Sequence, residues 1–277
     1  MRANRTLLIC LFAILALTLS CSTGPRPPQP GTPGFYWAAA RQTYAAGDYQ
    51  KTAENLALIT KSDNEFTQQA RVWEVILTAG LAQGYYELAE HYEAGARANR
   101  KNPMPFRRQV TLFRGSAANA ALQFTEAFHR YQAADKSENV VLKFDYPSGS
   151  ITPPQELEKT ASGIFIPEAE LERLQRATLQ HGVVLSACRA TGAPESAAKA
   201  QEIFKAGQAP RNTFVLAMAN MLHDQSQLFT ATRLDQPNRM KLLLKEAQEA
   251  VAALPPSKPA KDLAAKIEKT MKKAKIS

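Results

Sequence analysis

Residues 64–96 read NEFTQQARVWEVILTAGLAQGYYELAEHYEAGA, and they decide the fold class. Phe66, Ala70, Trp73, Leu77 and Gly80 recur at spacings of four, three, four and three, which marks one face of a helix. Gly84 interrupts the run, and Tyr85, Leu88, Ala89, Tyr92 and Ala96 resume the stripe until Asn102-Pro103 closes it. The spacing therefore predicts two helices joined at Gly84. Upstream, Phe35 to Ala46 and Tyr49 to Thr60 have the same character, with Gly47-Asp48 between them. Two helix pairs thus repeat, with their glycines 37 residues apart.

Downstream the helical pattern continues. Phe106, Val110, Phe113, Ala117, Ala120, Phe124, Phe128 and Tyr131 form a three-four stripe. They predict one helix, about 40 Å long at about 1.5 Å per residue, or a pair bent near Gly115. Pro167 opens another helix at the position proline favours, with Glu168, Glu170 and Glu172 in the turn where the helix dipole welcomes acids. Helical segments follow over 193–206, 212–230, 237–254 and 262–274. The expected class is all-α. The exception is 137–166: Asn139 to Tyr146 is rich in β-formers, and Ile164-Phe165-Ile166 is a second β-prone scrap. A small β-hairpin or an ordered crossover would account for it, and an irregular stretch of this length in a helical protein is often functional.

The second pair resembles a tetratricopeptide (TPR) repeat. Trp73, Ile76, Leu77 and Gly80 stand where that family's first helix has its signature positions. Gly84-Tyr85-Tyr86-Glu87-Leu88-Ala89 matches its turn and second helix, and Pro103 falls near its closing proline. In the first pair Gly47-Asp48-Tyr49 fits, while Thr52 replaces the family's alanine. The resemblance implies antiparallel helix pairs stacked into an array whose inner face takes a peptide or protein. A stable stack needs at least about three repeats, so later helices must complete it.

The front of the chain has a different logic. Arg2 and Arg5 precede an apolar block from Leu7 to Leu19, and Ser20 leads to Cys21. This reads as an export signal, since a spanning helix needs about 20 apolar residues. Leu17-Thr18-Leu19-Ser20-Cys21 resembles the lipobox of bacterial lipoproteins, which implies that Cys21 carries lipid; the alternative is plain cleavage nearby, with Cys21 a free thiol or lost. With Ser22 rather than aspartate in the next position, the resemblance implies the outer membrane, facing the periplasm. Pro25, Pro27, Pro28, Pro30 and Pro33 stiffen the following spacer toward polyproline II. The expected organisation is 1–20 signal peptide, 21–34 lipidated cysteine and tether, 35–136 TPR-like region, 137–166 insertion and 167–277 C-terminal helical region.

Chemistry is sparse. The formal charge is +9, but seven lysines after residue 257 face only Asp262 and Glu268 there. Much of the excess is thus a tail rather than a basic groove, which speaks against a nucleic-acid partner. Cys10, Cys21 and Cys188 leave no intramolecular disulfide in a mature fold. His91, His129, His181 and His223 lie far apart, so no metal site or cofactor is expected. His181 and Cys188 share a helix face, but seven residues span about 10 Å, too far for a thiol-activating hydrogen bond. No phosphate loop or nucleophile elbow appears, and the expectation is a non-enzyme. Arg97, Arg100, Lys101, Arg107, Arg108 and Arg114 form an acid-free basic cluster suited to an anionic partner or to a solvated turn.

The expected function is a membrane-anchored, non-catalytic binding or scaffold lipoprotein that takes an envelope protein or peptide. Contacts are expected through Tyr49, Trp73, Tyr85, Tyr86, Arg107 and Arg108. A related reading is an accessory of an outer-membrane or cell-wall assembly machine. A different class is a periplasmic enzyme or solute-handling accessory with a site under the 137–166 insertion.

Overall fold

The computed structural model describes residues 28–147, 149, 151–152, 154, 158–163, 166–194 and 196–275. The export signal and Cys21 lie outside them. Ten α-helices occur among the described residues. They are α1 (Pro33–Ala45), α2 (Tyr49–Ile59), α3 (Thr67–Ala98), α4 (Met104–Ala134), α5 (Glu158–Ala161), α6 (Glu168–Ala190), α7 (Ala197–Ala206), α8 (Arg211–Ser226), α9 (Pro237–Ala252) and α10 (Lys258–Lys273). Two short strands, β1 (Asn139–Val141) and β2 (Gln208–Pro210), pair antiparallel. The fold is all-α, and no helix among the described residues is long and apolar enough to cross a membrane.

The first helix pair forms as its sequence predicts. The Thr32 hydroxyl accepts from the Phe35 amide to cap α1. Gly47 takes φ +74°, the left-handed conformation that glycine enters without a Cβ penalty. The Asp48 amide returns to the Thr43 carbonyl at 2.9 Å, and the Asp48 carboxylate caps α2 through the Lys51 amide.

The second pair does not exist as two helices. Helix α3 runs unbroken for 32 residues, straight through Gly84. A glycine inside a helix costs about 1 kcal/mol relative to alanine, too little to break a helix otherwise held by burial. Residues 72–82 are all buried, so α3 is covered on every side there. Antiparallel α4 covers one side, with Arg130 against Glu74 and Arg114 against Glu93. Helix α6 covers another, also antiparallel, with Gln175 donating to the Tyr92 hydroxyl and Val183 against Gly80. Gln225 of α8 donates to the Ala79 carbonyl at 3.0 Å.

Gly80 and Gly84 have a packing purpose, not a turning one. A Cβ on Gly80 would lie 2.6 Å from the Val183 Cα, and one on Gly84 would lie 2.9 Å from the Leu179 Cα. Gly182 faces both of them across the crossing. Three missing side chains let the backbones of α3 and α6 touch. By contrast α4 is the expected single helix, 31 residues long and unbroken at Gly115.

Among the described residues of the insertion, the first β-prone stretch begins as β1 and continues as a strap, while Ile164 and Phe165 of the second lie outside them. β1 finds its partner in β2, sixty-odd residues further on, with Asn139 opposite Pro210 and Val141 opposite Gln208. The following residues run over the core. Phe144 packs on Trp37, Tyr44 and Trp73, the Tyr44 hydroxyl donates to the Asp145 carbonyl at 2.8 Å, and Tyr146 meets Phe204. One apolar cluster extends from Ala40 to Ile267, so 35–136 and 167–277 share a core rather than forming separate units.

Candidate functional site

Helices α2 and α4 both lean on α3 and leave a groove of about 540 Å³ between them. Its walls are stripes at helical spacing. From α2 come Gln50, Ala53, Glu54 and Ala57; from α4, Ser116, Asn119, Ala120 and Gln123. The floor is Glu74, Thr78, Leu81 and Tyr85 of α3, again at steps of four, three and four. The lining mixes small residues (Ala53, Ala57, Ser116, Ala120) with longer polar ones (Gln50, Glu54, Gln123) and with Leu81 and Tyr85 on the floor. Three helices thus line one trough, with residues at helical spacing on each.

One end of the trough is charged. The Glu74 carboxylate is almost fully buried, at 4% exposure for the residue. Arg130 meets it at 2.6 Å, and the Thr60 hydroxyl donates to it at 3.1 Å. Burial raises the Glu74 pKa, and the Arg130 charge works against that rise. Arg130 also holds Glu126 at 2.6 Å, closing a chain of charge from the floor to the rim. The buried carboxylate is thus held by charge-assisted hydrogen bonds from within the chain.

The residues expected to touch a partner fall in different places. Trp73 has no exposed surface: it is enclosed by Tyr44, Phe144 and Phe204. Tyr49 is buried as well, edge-on to Tyr44. Both are corrected from contact residues to core: Trp73 because α3 is wrapped on all sides there, Tyr49 because the start of α2 folds back on Tyr44 of α1. Tyr85 is half-buried and lines the groove, its hydroxyl donating to Gln50 at 3.3 Å. Tyr86 is half-buried with the Arg233 guanidinium 4.8 Å above its ring. Arg107 and Arg108 are exposed on the first turn of α4, outside the groove lining. Glu74, Arg130 and Ser116 went unmarked in the sequence, and their signal is only visible once α2 and α4 are known to be neighbours across α3.

No family model, curated protein or solved structure matches this chain. Its chemistry must therefore be read from its own side chains. Among the described residues, no group of three His, Cys, Asp or Glu is placed to hold a metal ion. A second hollow of about 930 Å³ lies where α10 leans on α8, floored by Leu216, Ala217 and Leu263 with Lys266 and Lys269 at its edge. It is wider, but it lacks a buried charged group to orient an occupant.

Under the strap, His181 and Cys188 are both occupied. Cys188 is buried, 3.1 Å from the Tyr146 hydroxyl, and burial raises its thiol pKa, the opposite of activation. His181 directs Nδ1 at the Glu87 carboxylate, 2.8 Å away, and Nε2 at the Ile151 carbonyl, 2.9 Å away. Both are acceptors, so only the doubly protonated ring satisfies both. Burial lowers the His181 pKa, but the Glu87 hydrogen bond and charge, aided by Ile151, outweigh it and leave the net shift upward. A histidine raised in the folded state contributes stability that is whole below its unfolded pKa, about 6.5, and is lost as pH rises through the folded value. Wild-type protein should therefore lose stability from mildly acidic to alkaline pH more steeply than His181→Gln. Parallel denaturant midpoints for the two proteins across that range would show that the imidazolium does not clamp the strap.

Proposed function

We propose that this protein is a membrane-anchored, non-catalytic scaffold whose α2–α3–α4 groove takes a helical segment of an envelope protein or peptide. The observation that carries the reading is one trough lined by helical stripes of α2, α3 and α4, with the buried Glu74 carboxylate paired to Arg130 at its end. Such a trough suits helix-in-groove capture, where an incoming helix lays one face between two others. The lipobox-like Ser20-Cys21 and the proline-rich spacer support placement at the periplasmic face of the outer membrane. Service to an outer-membrane or cell-wall assembly machine is the same reading with a named employer. For a periplasmic enzyme under the strap the residues offer less, since His181 has both nitrogens engaged and Cys188 is hydrogen-bonded and buried.

The test uses photo-crosslinking residues at Ala57 and Asn119, on opposite walls, in cells carrying the full chain. Both positions should yield the same partner. Ser116→Trp, which fills the trough from a half-exposed wall position, should then weaken that partner's binding by about 100-fold, the scale of a central interface loss. Its thermal midpoint should stay near that of the wild type. Unchanged affinity with Ser116→Trp would remove the groove from the function.

A further inference from the structure

Between Glu93 and Glu126 the chain has no acidic residue, and it carries Arg97, Arg100, Lys101, Arg107, Arg108 and Arg114. This span is the end of α3, the elbow at 99–103 and the start of α4. Two of the cations approach Glu93: exposed Arg97 at 3.9 Å and half-buried Arg114 at 3.3 Å. Arg100, Lys101, Arg107 and Arg108 are exposed, and none of them enters an ion pair among the described residues. Antiparallel α6 opens at the same end with Glu168, Glu170 and Glu172, accompanied by Arg173 and Arg176. Counting all three segments, eight cations stand against four acids, so the end keeps a clear positive excess.

Apolar side chains are interleaved with these charges. Met104 is 52% exposed and Leu112 57% exposed, the two most exposed large hydrophobic residues among those described. Met104, Arg108 and Leu112 are spaced by four, so they share one outward stripe of α4. Pro103 closes the elbow and Pro105 sits in the first turn of α4, and neither groove described above includes any of these residues. An acidic protein helix would need a trough to lie in. A bilayer needs none: it asks for a cluster of about four to eight basic residues and apolar side chains able to dip among headgroups.

We infer that the α3–α4 elbow is a contact for an anionic phospholipid surface, with Arg100, Lys101, Arg107 and Arg108 on the headgroups and Met104 and Leu112 between them. It is distinct from the place where the chain enters the fold. Pro28 packs at Gly34, and Trp37 stacks on Phe66 at 5.3 Å, so residues 28–37 gather at the opposite end of α3. At about 1.5 Å per residue the two ends of α3 lie about 48 Å apart. The inference does not depend on what occupies the α2–α4 groove.

Hydrogen exchange of the full chain on vesicles localises the contact whatever the front segment does. On mixed phosphatidylglycerol–phosphatidylcholine vesicles, amides over 99–112 should gain protection that pure phosphatidylcholine does not give, and added salt should erase it. The double variant Arg107→Glu/Arg108→Glu reverses two exposed, unpaired charges and should fold normally by circular dichroism. It should lose the phosphatidylglycerol preference by roughly 100-fold, whereas Arg107→Lys/Arg108→Lys keeps most of it. Protection that is equal on both vesicles, or that survives the glutamate variant, overturns the inference. So does protection by polyglutamate with none on phosphatidylglycerol, which would assign the patch to an acidic protein instead.

Discussion

Gly182→Ala will destabilise the protein by about 3 kcal/mol or more, the upper range for forcing an extra methyl group into a packed interior. The new Cβ would meet the Gly80 carbonyl oxygen, the Gly84 nitrogen at 2.7 Å and the Gly84 Cα at 3.0 Å. All three are backbone atoms of α3, so no side chain can rotate away and the two helices must separate. That separation would loosen the crossing on which α6 and the strap depend. Helix propensity pulls the other way, since alanine is favoured over glycine by about 1 kcal/mol, but it loses this contest. A fall in thermal midpoint of roughly 10 °C is the expected reading. Gly115→Ala is the matched control. It also lies within a long helix, but a Cβ there meets nothing within 4 Å, so it should raise stability by up to about 1 kcal/mol. Equal effects of the two substitutions would mean that the α3–α6 backbones are not in contact.

Trp73→Ala comes next in size, at about 3–5 kcal/mol. The indole is fully enclosed, with ring centroids 4.6 Å from Phe144, 5.4 Å from Phe204 and 5.5 Å from Tyr44. It therefore ties α1, the strap and α7 to the central helix, and its loss leaves a cavity where four segments meet. Its Nε1 is buried without a hydrogen-bond partner among the described residues, a cost the indole carries in the folded state. Trp73→Phe removes that stranded donor along with part of the ring, so it should lose far less than the alanine variant. Denaturant titration of both proteins decides it. A Trp73→Ala protein of near wild-type stability, but weakened in partner capture, would return Trp73 to the surface role that its position in a TPR-like motif suggests.

Local interactions made most of the helices legible. Residues three and four apart share a helix face, so the stripes over 106–131 and 168–189, and the Gly47-Asp48 turn, could be read without knowing their neighbours. Glycine was the ambiguous letter. Gly47 and Gly84 stand in similar local contexts, Gly-Asp-Tyr and Gly-Tyr-Tyr, yet one takes φ +74° and turns while the other stays helical. What separates them is Gly182, nearly a hundred residues beyond Gly84, whose missing side chain makes the α3–α6 contact possible. No window of sequence around residue 84 contains that information. The all-round burial of 72–82 misled in a related way: a stripe of apolar residues identifies a helix, but Trp73 belongs to core or surface according to how many elements surround it.

The sequence by itself determined that this chain is helical, where most helices begin and end, and that a basic, acid-free elbow separates two of the longest. These follow from hydrogen bonds and side-chain neighbours within a few residues of one another. Only the tertiary structure decided that 67–98 is one helix buried all round at its centre, that β1 pairs with β2, and that α2 and α4 leave a trough over Glu74. Those features are made by residues far apart in the chain, and they exist only after the helices have packed.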